Sequence, residues 1–132
     1  MAVKQHVDVE GKPLTLSNLD KVLYPGNGFT KAHVIDYYIK VSKVLLPHFS
    51  RRPVTLNRFP DGVRGRAFYE KDTPDYLPSW AHTTKVPRQN GGEPIRYICI
   101  DDVATLIWCA NVASLELHPF LHHAEIFIAQ RP

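Results

Sequence analysis

The amino-acid sequence predicts an α+β fold in which a mainly antiparallel or mixed sheet carries two main helices. Two stretches have the apolar content and spacing of helices, residues 31–46 and 103–117. Between them lie short extended runs separated by strong turn signals, Pro60-Asp61-Gly62 and Asn90-Gly91-Gly92. Paired strands with two substantial helices are typical of the α+β class.

Composition sets broad limits on the protein. With 132 residues, 44% hydrophobic and 22% charged, the chain is an ordinary globular sequence that we expect to form one domain over residues 1–132. It contains no apolar run of about 18 residues and no signal peptide, so a cytoplasmic location without a membrane partner is expected. Cys99 and Cys109 stand in apolar surroundings and predict neither a disulfide framework nor a cysteine zinc site.

The N-terminal third predicts an extended segment, a turn and a helix. Residues 1–17 are expected to be extended, and residues 18–24 to form a turn or a single helical turn before Pro25. Thr30 is a good N-cap, so the first helix is expected from Lys31 until just before Pro47. Within it, the pair Tyr37-Tyr38 is interpreted as core packing.

The rest of the chain predicts strands around a second helix. Strands are expected at residues 53–59 and 66–71, and a hairpin is expected between residues 83–88 and 94–100. Asp101-Asp102 can cap the second helix, which is expected from Val103 to about Leu117 and is ended by Pro119. Its apolar residues on nearly every face predict burial. A last strand is expected at residues 124–129.

The segment from Thr55 to Asp72 concentrates positive charge. Residues 51–71 contain six Lys or Arg and two Asp or Glu. Residues 101–132 contain one Lys or Arg and four Asp or Glu. This uneven distribution predicts one basic face. Cations beside the aromatic pair Phe68-Tyr69 suit a nucleic-acid end or single strand. The alternative is a solvated basic loop with Phe68 in the core. The cations of this segment are Arg58, Arg64, Arg66 and Lys71.

The acidic and histidine residues give little support for metal chemistry. Two-metal catalysis needs converging carboxylates, and the one alternately spaced acidic pair is Asp8 and Glu10. A metal-dependent hydrolase is a weaker alternative, built on His118, His122 and His123 with Glu116 or Glu125 as a further ligand. Pro119 interrupts the helical register that this cluster needs, so no metal site is predicted.

Several short motifs, in this order and spacing, resemble one known domain. They are Asn18-Leu-Asp-Lys-Val-Leu-Tyr-Pro25, Thr30-Lys31, Asn57-Arg-Phe-Pro-Asp-Gly62, Phe68-Tyr-Glu-Lys71 and Glu116-Leu-His118. Together they resemble the polymerase domain of the bacterial and archaeal non-homologous end-joining ligases (ligase D), in the archaeo-eukaryotic primase superfamily. The resemblance covers residues 14–132 and implies the N-terminal module of that primase-polymerase domain.

The resemblance also implies a missing catalytic half. In the family, an Asp-x-Asp strand that binds the catalytic metals follows a position like Arg131-Pro132, and a third aspartate lies further on. None of these is in this chain. We therefore expect no catalysis and no cofactor for the chain alone, and Mg²⁺ or Mn²⁺ only together with the catalytic half.

Carried over residue by residue, the resemblance implies a site for a DNA end. Asn18, Lys21 and Lys31 would surround a 5′-phosphate, and ammonium groups and an amide do suit that dianion. Lys31 would also lie inside a helix N-terminus, which favours anions; alternatively, Lys21 and Lys31 are unpaired surface lysines. The remaining implied DNA contacts are Arg58, Lys71, the base-stacking pair Phe68 and Tyr69, and Asn57, which stands where family members often carry lysine. His118 matches a contact to the incoming triphosphate.

Two functions remain open from the sequence. The chain is either a DNA-end binding module of an end-joining repair polymerase, or one half of a split nucleotidyltransferase completed by a second chain. The expected partners are DNA ends with a 5′-phosphate, that second chain, and ligase or end-binding repair proteins at the nucleoid.

Overall fold

The computed structural model describes residues 4–121 and confirms the α+β class, with two helices and nine strands in that range. The paired strands are antiparallel. In chain order the elements are β1 (Lys4–Val9), β2 (Lys12–Ser17), β3 (Val22–Tyr24), β4 (Phe29–Thr30), α1 (Lys31–Phe49), β5 (Val54–Arg58), β6 (Phe68–Glu70), β7 (His82–Val86), β8 (Ile95–Cys99), α2 (Val103–Asn111) and β9 (Ser114–Pro119).

The strand β5 is the centre of the largest sheet. β9 pairs along its whole length, β6 pairs with its second half, and β8 joins it at Val54. β7 and β8 pair from His82 opposite Cys99 to Val86 opposite Ile95, which confirms the predicted hairpin. The hairpins β1–β2 and β3–β4 form separate two-stranded sheets.

The two helices pack against each other, and α2 forms much of the core. Every residue in Ala104–Ala110 is buried, which confirms the burial predicted from an all-apolar helix. The hydroxyl of Tyr38 on α1 donates to Ser114 O at 2.6 Å, and this side chain is buried. Tyr37 is 60% exposed, so the core-packing prediction was right for Tyr38 alone. No helix in residues 4–121 is long and apolar enough to cross a bilayer.

The first helix was predicted to end just before Pro47. In the structure it continues through Pro47 to Phe49. A proline in the last turn removes one backbone hydrogen bond, which other interactions can offset. Here Phe49 is buried, and the N–H of Ser50 donates to Leu46 O at 3.0 Å. Core packing and this final bond keep the last turn helical.

The second helix is shorter than predicted. Asp102 caps it, accepting from the N–H of Thr105 at 2.8 Å, but it ends at Asn111 instead of Leu117. Ser114–Pro119 forms β9, because five residue pairs with β5 satisfy its backbone and its residues alternate between the two sheet faces. The period of two in Ser-Leu-Glu-Leu-His was the signal for a strand.

Smaller differences concern the loops. Residues 18–21 form the predicted turn, but the following residues form strand β3 instead of helix. The predicted strand at 66–71 is shortened to β6, and Arg64 and Arg66 lie in the exposed loop before it. The predicted strand at 124–129 lies outside the described residues.

Candidate functional site

A cleft of about 620 Å³ opens beside the β1–β2 hairpin, the start of α1 and the end of α2. Its lining includes Asn18, Lys21, Lys31 and Arg58, so the structure brings together four of the predicted site residues. Lys4 adds a further cation to the wall. Within the described range, no Asp or Glu lines the cleft. The cleft is therefore an electropositive cavity of the size that holds small ligands.

The turn at residues 18–21 is joined to the start of α1. Asn18 adopts a left-handed backbone with φ of +54°, which asparagine tolerates well, and Lys21 N donates to its carbonyl at 3.0 Å. The carbonyls of Lys21 and Leu19 then accept from the N–H groups of Lys31 (2.8 Å) and Ala32 (2.9 Å). These bonds place the side chains of the turn and the helix around one cavity.

The same bonds correct one sequence prediction. The N–H groups of Lys31, Ala32 and His33 all have protein acceptors, the last being Thr30 Oγ1 at 3.4 Å. A helix N-terminus attracts anions through N–H groups that lack partners, so the first turn of α1 is not arranged for that role. Anion binding in this cleft has to rest on side chains.

Lys31 is a buried lysine with one hydrogen bond to the backbone. It is 5% exposed, and its Nζ donates to Ser17 O at 2.8 Å. The N–H of Ser17 in turn donates to Asn111 Oδ1 at 3.0 Å, which fixes the acceptor. Burial, followed by the positive charges of Lys21 and Arg58, lowers the pKa of Lys31 to about 8. The alternative of an ordinary surface lysine is therefore wrong for Lys31.

Lys21 is the more exposed of the two lysines, and it faces a carboxylate from the predicted Pro-Asp-Gly turn. Its Nζ lies 3.5 Å from Asp61 Oδ1. The turn is fixed on β3, because Val63 N donates to Leu23 O at 2.8 Å. Gly62 has φ of +88°, and a Cβ there would lie 2.8 Å from Leu23 O. Only glycine fits this close approach without a shift of the backbone.

Arg58 is held by several partners at the cleft wall. Its Nε donates to Val112 O at 2.9 Å, at the end of α2. Its Nη1 donates to Glu70 Oε1 at 3.3 Å and to the hydroxyl of Tyr76 at 2.7 Å. The guanidinium carbon also lies 5.0 Å from the centre of the Phe68 ring, in cation–π distance. These contacts fix the guanidinium before any ligand arrives.

A second group of predicted residues lies on the other face of the sheet. Asn57 pairs with Tyr69 on β6 and with Glu116 on β9, and its Nδ2 donates to Glu116 Oε1 at 3.1 Å. His118 Nε2 lies 3.0 Å from the same oxygen, and the His118 and Tyr69 rings are 6.0 Å apart. Hydrogen bonds from Asn57 and then His118 lower the pKa of Glu116.

Strand geometry explains this division. Consecutive strand residues point to opposite faces, so Asn57 and Arg58 diverge, as do Phe68 and Tyr69. Asn57 does not line the cleft beside Lys21 and Lys31, and the two aromatic residues do not form a single stacking platform. Phe68 is 44% exposed, so the alternative that buries it in the core is also wrong. Lys71 is exposed just after β6 and does not line the cleft either.

Comparison with known proteins agrees with the fold and motifs. Residues 30–132 match the family model of the LigD primase-polymerase domain. The chain belongs to this family.

This chain matches only part of the length of individual LigD proteins. It is 44% identical over 103 residues to the multifunctional non-homologous end joining protein LigD of Mycolicibacterium smegmatis, covering 78% of this chain and 13% of that protein. It is 37% identical over 108 residues to the bifunctional protein LigD of Bacillus subtilis, covering 81% and 17%. The chain thus spans less than a fifth of the length of these relatives.

A solved structure also resembles this chain. It is the polymerase domain from Mycobacterium tuberculosis ligase D in complex with DNA, with a TM-score of 0.77 and 42% sequence identity. The match covers 80% of this chain and 36% of that one. At this identity, the comparison supports the same fold for the shared part of the LigD domain.

The metal ions that the LigD resemblance implies do not fit the residues described here. A two-metal site needs several carboxylates that converge on the ions. In residues 4–121, no group of three or more His, Cys, Asp or Glu is placed to hold a metal. His122, His123 and Glu125 of the predicted histidine cluster lie outside this range.

The structure adds cleft residues that sequence reasoning missed. Tyr76 lines the cleft and bonds Arg58, while Ser17 and Asn111 position Lys31. Tyr76 belongs to a loop without regular secondary structure, and Asn111 lies in an apolar helix. Neither has a sequence signal for this role, because their partners are distant along the chain.

Proposed function

We propose that this chain is a DNA-end binding module of a non-homologous end-joining repair polymerase, and that its cleft holds a 5′-phosphate at a break or gap. The proposal rests on membership of the LigD primase-polymerase family and on one observation. Three cations of the predicted motifs, Lys21, Lys31 and Arg58, line a single cavity without a carboxylate in its described wall. The module would work in the cytoplasm at the nucleoid, with ligase or end-binding repair proteins as partners.

Electrostatics support a terminal phosphate as the ligand. A phosphate monoester carries a charge of about −1.5 to −2 at pH 7 and offers three acceptor oxygens. Lys31 is buried beside two other cations, so the charged form of its side chain is disfavoured in the empty protein. A dianion in the cleft would stabilise the charged form of Lys31 and would accept charge-assisted hydrogen bonds from it. The related M. tuberculosis domain was solved with DNA, which is consistent with this assignment.

The test is a binding titration with matched recessed DNA ends that carry either a 5′-phosphate or a 5′-hydroxyl, at fixed ionic strength. A dedicated site should prefer the phosphorylated end by roughly 1.5–3 kcal/mol. The double variant Lys21→Ala with Lys31→Ala should lose this preference and keep residual affinity for duplex DNA. Because both lysines would contact one phosphate, the two single changes should be non-additive.

A matched control uses a lysine on another surface. Lys40 lies on the exposed side of α1 and pairs with Asp36 at 2.8 Å, so Lys40→Ala should leave the preference intact. Generic binding through Arg64 and Arg66 would be sensitive to salt but indifferent to end chemistry. Equal affinities of the unmutated chain for the two ends would refute the phosphate site.

A second candidate is one half of a split nucleotidyltransferase. It is favoured by the arrangement of His118, the predicted triphosphate contact, which is exposed on a strand and faces Glu116. The metal-binding aspartates, and Mg²⁺ or Mn²⁺, would then come with a second chain. Mixing this chain with one that carries the Asp-x-Asp strand should produce primer extension that neither chain shows alone. If the mixture is inactive while both chains are folded, this candidate is excluded.

A further inference from the structure

We propose that the cleft receives the whole 5′-terminal nucleotide, with its phosphate on the lysines and its nucleoside against the ring of Tyr76. The ligand class is a nucleoside 5′-monophosphate, either free or as the terminal unit of a strand. This inference rests on the proposed function, since it uses the same phosphate site. It assigns Tyr76 as a specificity-determining residue.

Tyr76 is an exposed aromatic residue in a fixed position. Tyr76 is 58% exposed, yet its hydroxyl accepts a hydrogen bond from Arg58 Nη1 at 2.7 Å. Its ring centre lies 6.2 Å from that of the buried Trp108, with the planes tilted by 40°. Contacts at both ends hold the ring in place, so little side-chain entropy remains to be lost when a ligand stacks on it.

The loop that carries Tyr76 is anchored by other residues on both sides of it. Other contacts hold the neighbouring residues: Thr73 N donates to Arg96 O at 2.8 Å, and Arg96 N donates to Asp72 Oδ1 at 3.1 Å. Further along, Trp80 Nε1 donates to Pro13 O at 3.1 Å. The loop is thus tied to the rest of the molecule on either side of Tyr76. Because Tyr76 stays exposed while other residues hold its loop, its ring is available for a ligand.

The size and lining of the cleft also point beyond a phosphate ion. Its volume of about 620 Å³ falls in the usual range for small-molecule pockets, whereas a phosphate alone needs only the space around the lysines. Besides the cations, the wall contains Tyr76, Pro60 and Pro78. Flat and apolar surfaces next to cations match the two parts of a nucleotide, because a base stacks on a ring without sequence preference.

Arg58 connects the two parts of the proposed site. Its charge contributes to lowering the pKa of Lys31, and its Nη1 bonds the hydroxyl of Tyr76. Arg58 therefore lines the same cleft as Lys31 and is bonded directly to Tyr76. With a phosphate on Lys31 and a base on Tyr76, the site would distinguish a 5′-nucleotide from a 3′-nucleotide, because the two present phosphate and base with different geometry.

The experiment is calorimetric titration of the 132-residue chain with four probes at one ionic strength. The probes are inorganic phosphate, a nucleoside 5′-monophosphate, the matching 3′-monophosphate and the nucleoside without phosphate. The 5′-monophosphate should bind about five- to a hundred-fold more tightly than inorganic phosphate, the range expected for one stacked base. The 3′-monophosphate should show a smaller gain, and the bare nucleoside should bind weakest.

Three variants test the contribution of the Tyr76 ring, the contribution of its hydroxyl, and the effect of removing an exposed tyrosine elsewhere. Tyr76→Ala should remove the gain of the 5′-monophosphate over phosphate while phosphate binding itself persists. Tyr76→Phe keeps the ring, so it should retain most of the gain and also shows that the loop tolerates substitution. Tyr37→Ala is the control, because Tyr37 is equally exposed but lies on α1 away from the cleft.

The outcomes distinguish this inference from the proposed function. If phosphate and the 5′-monophosphate bind the unmutated chain equally well, the stacking role of Tyr76 is overturned and the phosphate site stands. If Tyr76→Ala keeps the full gain, the nucleoside lies elsewhere and the inference is again overturned. If no phosphate-bearing probe binds, the phosphate site itself is wrong.

Discussion

Lys31 is the residue whose chemistry differs most from what its place in the sequence suggests. A lysine after an N-cap threonine is normally a solvated residue of the first helical turn. Here its Nζ reaches back fourteen residues to Ser17 O, and the residue is buried next to Lys21 and Arg58. Its pKa of about 8 places a change of charge just above neutral pH.

This pKa predicts how phosphate binding depends on pH. Above about pH 8 the empty protein loses the Lys31 proton, and a bound dianion would restore it, so binding becomes coupled to proton uptake. We expect affinity for a 5′-phosphorylated end to fall about ten-fold between pH 7 and pH 9. The phosphate itself stays dianionic there, because its second pKa is about 6.

The measurement is the same end titration repeated across that pH range at constant ionic strength. Lys31→Arg is the matched control, since arginine keeps its charge throughout and should flatten the profile. An unmutated chain whose phosphate preference is constant from pH 7 to pH 9 would contradict the assignment of Lys31 to the phosphate.

At the scale of elements, strand alternation decides which predicted residues can act together. The strands around Asn57-Arg58 and Phe68-Tyr69 were predicted from sequence, but Phe68 and Tyr69 were expected to act as one stacking pair, although strand neighbours face opposite sides. What could not be seen was which face would meet the cleft, because that depends on β9 and α2. The incorrect helix through Leu117 hid the fact that Glu116 and His118 share a strand face with Asn57.

The division predicts different effects for the two aromatic residues. Phe68→Ala removes the ring beside Arg58, so DNA-end binding should weaken by about 1–3 kcal/mol. Tyr69→Ala changes the face of the sheet that carries Asn57, so it should leave the preference for a 5′-phosphate unchanged. Affinity for phosphorylated and unphosphorylated ends is measured for each variant, with folding checked by circular dichroism. Equal losses in both variants would mean that the residues act as one platform after all.

The Pro-Asp-Gly loop offers a stability prediction with a matched control. Gly62→Ala should destabilise the protein by at least about 2 kcal/mol, because it combines a left-handed backbone with a Cβ only 2.8 Å from Leu23 O. Gly91→Ala has a similar φ of +81° but nothing within 4 Å of the added Cβ, so a cost of about 1 kcal/mol is expected. Urea unfolding of both variants measures the two costs. Equal losses of unfolding free energy would show that the contact with Leu23 O is not the cause.

At the scale of the whole molecule, the fold class and most elements were predictable because they depend on local signals. Turn residues, N-caps and apolar periodicity located the start of α1, the strand β5 and the β7–β8 hairpin. The cleft was predictable only through the family motifs around Asn18 and Arg58. Its supports, Ser17 with Asn111 and Arg58 with Tyr76, join residues far apart along the chain, and no local pattern encodes such pairs.

Nucleotide incorporation can be tested on the chain by itself. Residues 4–121 hold no group of ligands for a metal pair, and the sequence lacks the Asp-x-Asp motif that its resemblance to the family implies. We expect the purified chain to incorporate no nucleotide on gapped DNA with Mg²⁺ or Mn²⁺. Primer extension against a mock preparation is the measurement, and metal-dependent extension above the mock would contradict it.

The junction at Ser17 has a thermodynamic consequence for the protein itself. Its N–H is bound to Asn111 on α2 and its carbonyl to Lys31 on α1, so the cleft exists only when β2 and both helices are in place. A ligand of this cleft binds the native state and not the unfolded chain, and at a hundred times its Kd it adds about 2.7 kcal/mol to the free energy of unfolding. If the proposed site holds a DNA end, that end would raise the melting temperature of the protein.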